Sequence, residues 1–236
     1  MKIAVFPARG GSKRIPKKNI RKFLGKPIIA WPIEAAIKSK IFDKIIVSTD
    51  DEAIAKIASS LGVDVPFIRP ASLSDDHTGT TAVMKHAVDT LSKSYSNIEY
   101  VCCIYPTSPL LRSQDLVDSL QLLRSKNYRY VFSACSYTYP IQRALKLAQP
   151  SGVEMLSPEN LKVRSQDLDE CFHDAGQFYW GVTEAWQLDE PLFSTQSLPF
   201  ILPRHVSQDI DTLEDWDFAE KLFILERGKS SYEKGN

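Results

Sequence analysis

Apolar residues gather in short runs along the first half of the chain, and each run is followed by a segment whose apolar positions recur at helical spacing. Residues 2–6, 44–47, 65–68, 100–104 and 130–134 form the runs, which predicts buried strands. Residues 27–39, 52–60, 81–91 and 113–125 carry the helical period. Pro32 either confines the first regular helix to the residues after it or kinks the first turn. Ser48-Thr49-Asp50-Asp51 can cap the helix that begins at 52. The run at 100–104, Tyr-Val-Cys-Cys-Ile, is the most apolar and reads as a central parallel strand. This alternation predicts an α/β fold: a doubly wound, mostly parallel sheet with helices on both faces.

The rhythm breaks after Cys135. From about 136 to 174 the chain is rich in turn formers and charge, with Pro140, Pro150, Gly152 and Pro158. It reads as a hairpin-like excursion from the sheet and a candidate for dimer contacts. The sheet resumes at 177–180, followed by a short helix at 184–187 and a strand at 200–202. A last helix at 213–225 has apolar or aromatic residues at 213, 216, 218, 219, 222, 223 and 225. One domain is thus expected over 1–228, with 229–236 as a mobile polar tail.

Bulk properties narrow the class. The 236 residues are 43% apolar, enough for one large α/β core, and formal net charge is zero, so no global field points to nucleic acid or to a membrane surface. No apolar run approaches membrane-spanning length, and the first residues lead into a strand rather than a signal peptide. Cys102, Cys103, Cys135 and Cys171 form no C-x-x-C pair and read as small core residues of a reduced, cytoplasmic protein.

Charge is concentrated where the first strand ends. Pro7-Ala8-Arg9-Gly10-Gly11-Ser12-Lys13-Arg14-Ile15-Pro16-Lys17-Lys18-Asn19 is a glycine-bearing loop with five cations between Arg9 and Lys18. Open α/β sheets bind ligands at the carboxyl ends of their strands, and glycines allow backbone N–H groups close to an anion. Arg9, Lys13 and Lys18 can add charge-assisted bonds to phosphate oxygens. The run matches neither G-x-x-x-x-G-K-[ST] nor G-x-G-x-x-G. Asp209-Ile210-Asp211 is the second candidate: two carboxylates on one side of an extended segment can share a Mg²⁺, or Asp211 or Thr212 merely caps the last helix. Arg69-Pro70 with the Asp75-to-Thr81 loop, and Tyr105-Pro106-Thr107-Ser108-Pro109, belong on the same rim. No histidine forms a metal pair or a nucleophile–base arrangement, and His173 reads as structural.

Taken together, Pro7 to Lys13, Ile15 to Asn19, Ser48-Thr49-Asp50, Arg69-Pro70, Pro106-Thr107-Ser108-Pro109, Arg164-x-Gln166-Asp167 and Asp209-Ile210-Asp211 resemble, in order and over nearly the whole chain, the cytidylyltransferases that activate nonulosonic acids. Cys102-Cys103-Ile104-Tyr105, Pro140 to Leu145, Arg164 to Leu168 and His173 to Trp180 look like the branch that acts on pseudaminic acid. Sialic acid members usually place Gln where Tyr105 stands, which favours a more deoxygenated sugar. The resemblance implies a Rossmann-like nucleotidyltransferase fold. It also implies CTP and a nine-carbon α-keto acid sugar as substrates, Mg²⁺ on Asp209 and Asp211, and a homodimer with shared sites. Ala8, Arg9, Gly10, Gly11, Ser12, Lys13 and Lys18 would cradle the triphosphate, with Arg9, Lys18 and Asp211 catalytic. Asn19, Arg69 and Thr80 would hold cytidine or its ribose; Tyr105, Gln166 and Tyr179 the sugar; Arg143 and Arg164 its carboxylate, from a neighbouring subunit. Relatives acting on legionaminic or sialic acid share the nucleotide chemistry. A silent sugar-nucleotide binding protein is the reading from another class, and the paired aspartates argue against it.

Overall fold

The computed structural model describes residues 1–232, with side chains through Gly228. Strand β1 (Lys2–Pro7) is followed by a two-stranded hairpin, β2 (Lys22–Phe23) and β3 (Lys26–Pro27), then α1 (Ala30–Ser39), β4 (Lys44–Ser48) and α2 (Glu52–Ser60). Next come α3 (Thr80–Leu91), β5 (Tyr100–Ile104), α4 (Ser113–Ser125) and β6 (Tyr130–Ser136). After the small hairpin β7 (Leu145–Leu147) and β8 (Val153–Met155), the chain continues through β9 (Phe172–Val182), α5 (Thr183–Gln187), β10 (Ser197–Ile201) and α6 (Leu213–Tyr232).

Six strands form the main sheet in the order β10-β6-β9-β5-β1-β4. All neighbours are parallel except β9, which runs antiparallel to both β5 and β6. The sheet is therefore mostly parallel, as the alternation of elements implied. Side chains alternate across it. Ala4, Phe6, Cys102 and Trp180 pack under α1, α2 and α4, whereas Ile3, Val5, Cys103 and Tyr179 pack under α3 and α5. The adjacent cysteines thus face opposite layers, and Cys102, Cys103 and Cys135 are buried free thiols; Cys171, on the excursion, is only half-buried. A third cluster joins α6 to the β2–β3 hairpin through Phe23, Ile28, Trp216 and Phe223, with Ile210 buried among them.

Several boundaries depart from the sequence reading. No strand forms at 65–68: Asp64 and Ile68 make only isolated bridges, to Ile46 and Thr49. Pro66 has no N–H to donate to a ladder. The excursion ends at Cys171 rather than 174, because β9 begins at Phe172, earlier than its apolar core suggests. It does contain the expected hairpin, β7 against β8. The last helix passes Leu225 and includes residues 229–232 of the expected tail; the rest of the tail lies outside the described residues. Helix α1 starts at Ala30, which places Pro32 in the first turn, where its missing N–H breaks no intrahelical bond.

Candidate active site

A cavity of about 570 Å³ opens at the carboxyl ends of β1 and β5. Arg9, Ser12, Lys13, Lys18, Asn19, Arg69, Thr80 and Tyr105 all line it. These eight sequence candidates come from widely separated parts of the chain, and the fold brings them to one wall. Arg14, Asp75, Asp76, Thr78 and Thr107 also line it.

The basic loop is held in place from beneath. Ala8 N–H donates to the Ser48 carbonyl at 2.9 Å, so the chain leaves β1 still registered on β4. Gly10 N–H donates to Asp50 Oδ1 at 3.0 Å, and the Asn19 amide donates to the Arg9 carbonyl at 2.8 Å. A Cβ on Gly10 would lie 2.6 Å from Asp51 Oδ2 and 2.9 Å from Asp51 Cβ. The glycine at this position is thus required by the crowding of Asp51, and its N–H is committed to Asp50. Asp51 in turn caps α2, accepting from Ala53 N–H at 2.7 Å and Ile54 N–H at 3.1 Å, as its place in the sequence implied. Ala8, Gly10 and Gly11 support the loop without lining the cavity.

Every long cation of the loop that faces the cavity has an acidic neighbour. Arg9 pairs with Asp76 at 2.9 Å, and Lys13 bonds the same carboxylate. Lys13, then Arg9, hold the Asp76 carboxyl below its ordinary range. Arg14 pairs with Asp211 at 2.7 Å, and Lys18 reaches both Asp211 at 3.5 Å and the Ile210 carbonyl at 2.6 Å. Sequence reasoning placed the Asp75–Asp76 loop on this rim but missed Asp76 and Arg14 as partners. The run of acids in that loop was the available signal.

Arg69 is buried, donates from Nε to Ser74 Oγ at 3.0 Å, and stands 3.6 Å from Asp50. Burial lowers its pKa, and the Asp50 carboxylate opposes that shift. Asp50 therefore serves the loop and the arginine together, a role that its position at the end of β4 did not reveal.

Asp209 and Asp211 flank Ile210, whose side chain is fully buried against α6. With the isoleucine pinned inward, alternation turns both carboxylates the other way. Burial and then the charge of Asp211 raise the Asp209 pKa. Two hard oxygen donors near enough for the charge of one to act on the other suit a divalent cation that takes its remaining ligands from phosphates and water, as Mg²⁺ does. Among the described residues no group of three or more His, Cys, Asp or Glu side chains could hold a metal alone.

The remaining sugar candidates divide. Tyr105 is largely buried, and its hydroxyl shares a 2.7 Å hydrogen bond with Thr80 Oγ1. Burial pushes its pKa up to about 12. Tyr179 lies behind it with ring centroids 5.2 Å apart, buried and outside the cavity wall. Arg143, Arg164 and Gln166 stand exposed on the excursion, away from the cavity. Arg143 donates to the Val163 carbonyl, and Arg164 pairs with Asp167 at 2.7 Å. Within one chain the structure does not bring these three to the site.

Sheet, cavity and basic loop define an α/β protein built to receive a polyanion at its strand ends. The family described as cytidylyltransferase matches residues 3–222, and the chain belongs to that family. It is 42% identical over 221 residues to the pseudaminic acid cytidylyltransferase of Campylobacter jejuni subsp. jejuni serotype O:2, covering 94% of this chain and 95% of that protein. It is 35% identical over 209 residues to a Helicobacter pylori protein named pseudaminic acid cytidylyltransferase and UDP-2,4-diacetamido-2,4,6-trideoxy-beta-L-altropyranose hydrolase, covering 88% of this chain and 40% of that one. Among solved structures, a CMP:2-keto-3-deoxy-manno-octonic acid synthetase complexed with CTP superposes with a TM-score of 0.68 at 17% identity, over 95% of this chain and 99% of the other. That match confirms the nucleotidyltransferase fold.

Proposed function

We propose that the protein converts CTP and pseudaminic acid to CMP-pseudaminic acid and pyrophosphate. The convergence of Arg9, Lys13, Lys18, Asn19, Arg69, Thr80 and Tyr105 on one cavity carries the reading, because one opening gathers the cations and the side chains we assign to the nucleoside and the sugar. The identity to a pseudaminic acid cytidylyltransferase supports the choice of sugar.

The anomeric hydroxyl of the sugar attacks the α-phosphorus in line with the departing pyrophosphate, with no covalent enzyme intermediate. The chain's task is to position two anions and to stabilise charge growing on phosphate oxygens. Arg9 and Lys18 meet the triphosphate, with Ser12 and Lys13 beside them, while Asn19, Arg69 and Thr80 hold the nucleoside. Asp209 and Asp211 hold Mg²⁺, which when bound screens the triphosphate and polarises the reacting phosphorus. Tyr105 faces the sugar, with Tyr179 behind it.

A second copy of the chain completes the sugar side, bringing Arg143 and Arg164 from its excursion to the sugar carboxylate and Gln166 to the sugar. In support, the β7–β8 hairpin turns Leu145, Leu147 and Val153 to solvent, with Leu147 82% exposed, and Tyr139 beside it is 81% exposed. Apolar exposure on this scale fits a homodimer contact. Free thiols at all four cysteines fit a reducing cytoplasm.

The test is pyrophosphate release from CTP and Mg²⁺ with individual nonulosonic acids. Turnover with pseudaminate, little with N-acetylneuraminate, and loss on chelation are expected. Preference for another acid rejects the sugar assignment, and no release from folded protein with any acid rejects the enzyme.

A further inference from the structure

Gln177 sits where β9 loses its register on β6. The pairing shifts between Phe132 and Ala134, and Ser133 Oγ bridges the gap, accepting Gln177 N–H at 3.2 Å and Phe178 N–H at 3.1 Å. On the other side the Gln177 carbonyl accepts Tyr105 N–H at 2.8 Å. The backbone of this glutamine is thus fixed between β6 and the end of β5, at the kind of strand irregularity that re-aims a side chain.

The side chain is 1% exposed, and its Nε2 donates to the Val206 carbonyl at 2.5 Å. A carbonyl can only accept, which settles which end of the amide faces it. Val206 precedes Asp209 on the segment that joins β10 to α6. Among the described residues no other hydrogen bond joins residues 203–209 to the central sheet. The irregularity meets this segment a second time at Gly176, where a Cβ would lie 3.7 Å from Asp209 Cγ. Gln177 Oε1 has no hydrogen-bond partner among the described residues. A buried amide satisfied at one end only is a poor core residue, which leaves the Val206 bond as its contribution.

We infer that Gln177 is a positioning residue for the aspartate pair: through the Val206 carbonyl it ties the segment carrying Asp209 and Asp211 to the end of the sheet from which Tyr105 enters the cavity, and so sets the carboxylates for a divalent cation. The inference deepens the proposed function and rests on it for the identity of the cation. Gln177 is not part of the cavity wall, so it acts through the backbone it holds. Ile210, buried against α6, pins the far end of the same segment.

Gln177→Met removes the donor at nearly constant volume, and Gln177→Leu removes it with a different shape. In metal-free protein, hydrogen exchange of the peptide spanning residues 203–211 should run about tenfold faster in either variant, with β1 and β5 unchanged. In turnover, the Mg²⁺ concentration that gives half the maximal rate should rise about tenfold. Unchanged exchange in the segment, or exchange that quickens equally in β1 and β5, overturns the inference. So does an unchanged Mg²⁺ requirement in a variant whose segment exchanges faster. Failure of both variants to fold overturns it as well, because the amide then serves the core. Wild-type turnover that survives chelation rejects the metal of the proposed function instead, and the exchange result still decides the anchoring.

Discussion

Gly10→Ala tests whether the cation loop and the cap of α2 are one mechanical unit. The added Cβ meets Asp51 Oδ2 at 2.6 Å, Cβ at 2.9 Å and Cγ at 3.1 Å. Rotating the carboxylate relieves the first contact but breaks its bonds to Ala53 and Ile54 N–H, a cap worth about 1 kcal/mol. The Cβ–Cβ contact survives any such rotation. The loop must therefore shift and stretch the 3.0 Å bond from Gly10 N–H to Asp50, costing about 1 kcal/mol more. The sum, about 2 kcal/mol, lowers Tm by about 4–8 °C for a chain of this size. Thermal unfolding of wild type, Gly10→Ala, Asp51→Ala and the double variant reads the coupling. Once Asp51 is alanine the cap is already lost, so Gly10→Ala should then cost about 1 kcal/mol less. Because the loop shift carries Arg9 with it, KM for CTP should rise about tenfold in Gly10→Ala. A Tm within 1 °C of wild type, or strict additivity in the cycle, would refute the reasoning.

Other outcomes follow from the same geometry. Arg9→Ala and Asp211→Ala should each lower kcat/KM by about 2–4 kcal/mol with the unfolding transition intact, and a wild-type value in either removes that residue from the mechanism. Tyr105→Gln should lower the ratio of kcat/KM for pseudaminate over N-acetylneuraminate by about tenfold or more; an unchanged ratio takes sugar selection away from this position. Glu190 receives two bonds from Arg129, at 2.8 and 2.6 Å, and the arginine holds its carboxyl below the ordinary range. A depressed folded-state pKa contributes stability above the unfolded pKa that is lost as pH falls through the folded one. Glu190→Gln should thus lower Tm at pH 7, with the difference from wild type closing below about pH 4.5. A difference that persists undiminished at pH 3 means the pair stabilises by packing instead of charge.

Local signals were read accurately where one local rule decides. Asp51 as a cap, β5 as a buried run and α4 at Ser113–Ser125 each follow from periodicity or from one side chain bonding its own neighbours. The direction of β9 is different in kind. An apolar strand core has the same pattern whether its neighbours run parallel or antiparallel, so Gln177 to Trp180 announced a strand and concealed its sense. The end of α6 was misplaced for a related reason. Apolar spacing stops at Leu225, yet Glu226 and Arg227 are good helix formers and the helix continues to Tyr232. At the site, Ile210 between two aspartates was legible because alternation is local. The Thr80–Tyr105 hydrogen bond was not, since it joins the end of β5 to the start of α3, which only the fold makes neighbours.

The acids around the basic loop explain how so much positive charge is tolerated there. Five cations between Arg9 and Lys18 repel each other, and the zero net charge of the chain offers no distant remedy. Asp76 and Asp211 answer the repulsion locally, from opposite sides of the loop. Their position near solvent matters as much as their charge. Asp76 is about one-third exposed where it meets Arg9 and Lys13, so water and salt weaken those pairs and the cations remain exchangeable. A buried carboxylate in the same place would hold the arginine too firmly to surrender it to a phosphate. Lys18 is only 19% exposed and is tied to the Ile210 carbonyl as well as to Asp211, which keeps it beside the aspartate pair. The loop thus combines two cations in solvent-screened pairs with one held more firmly beside the carboxylates.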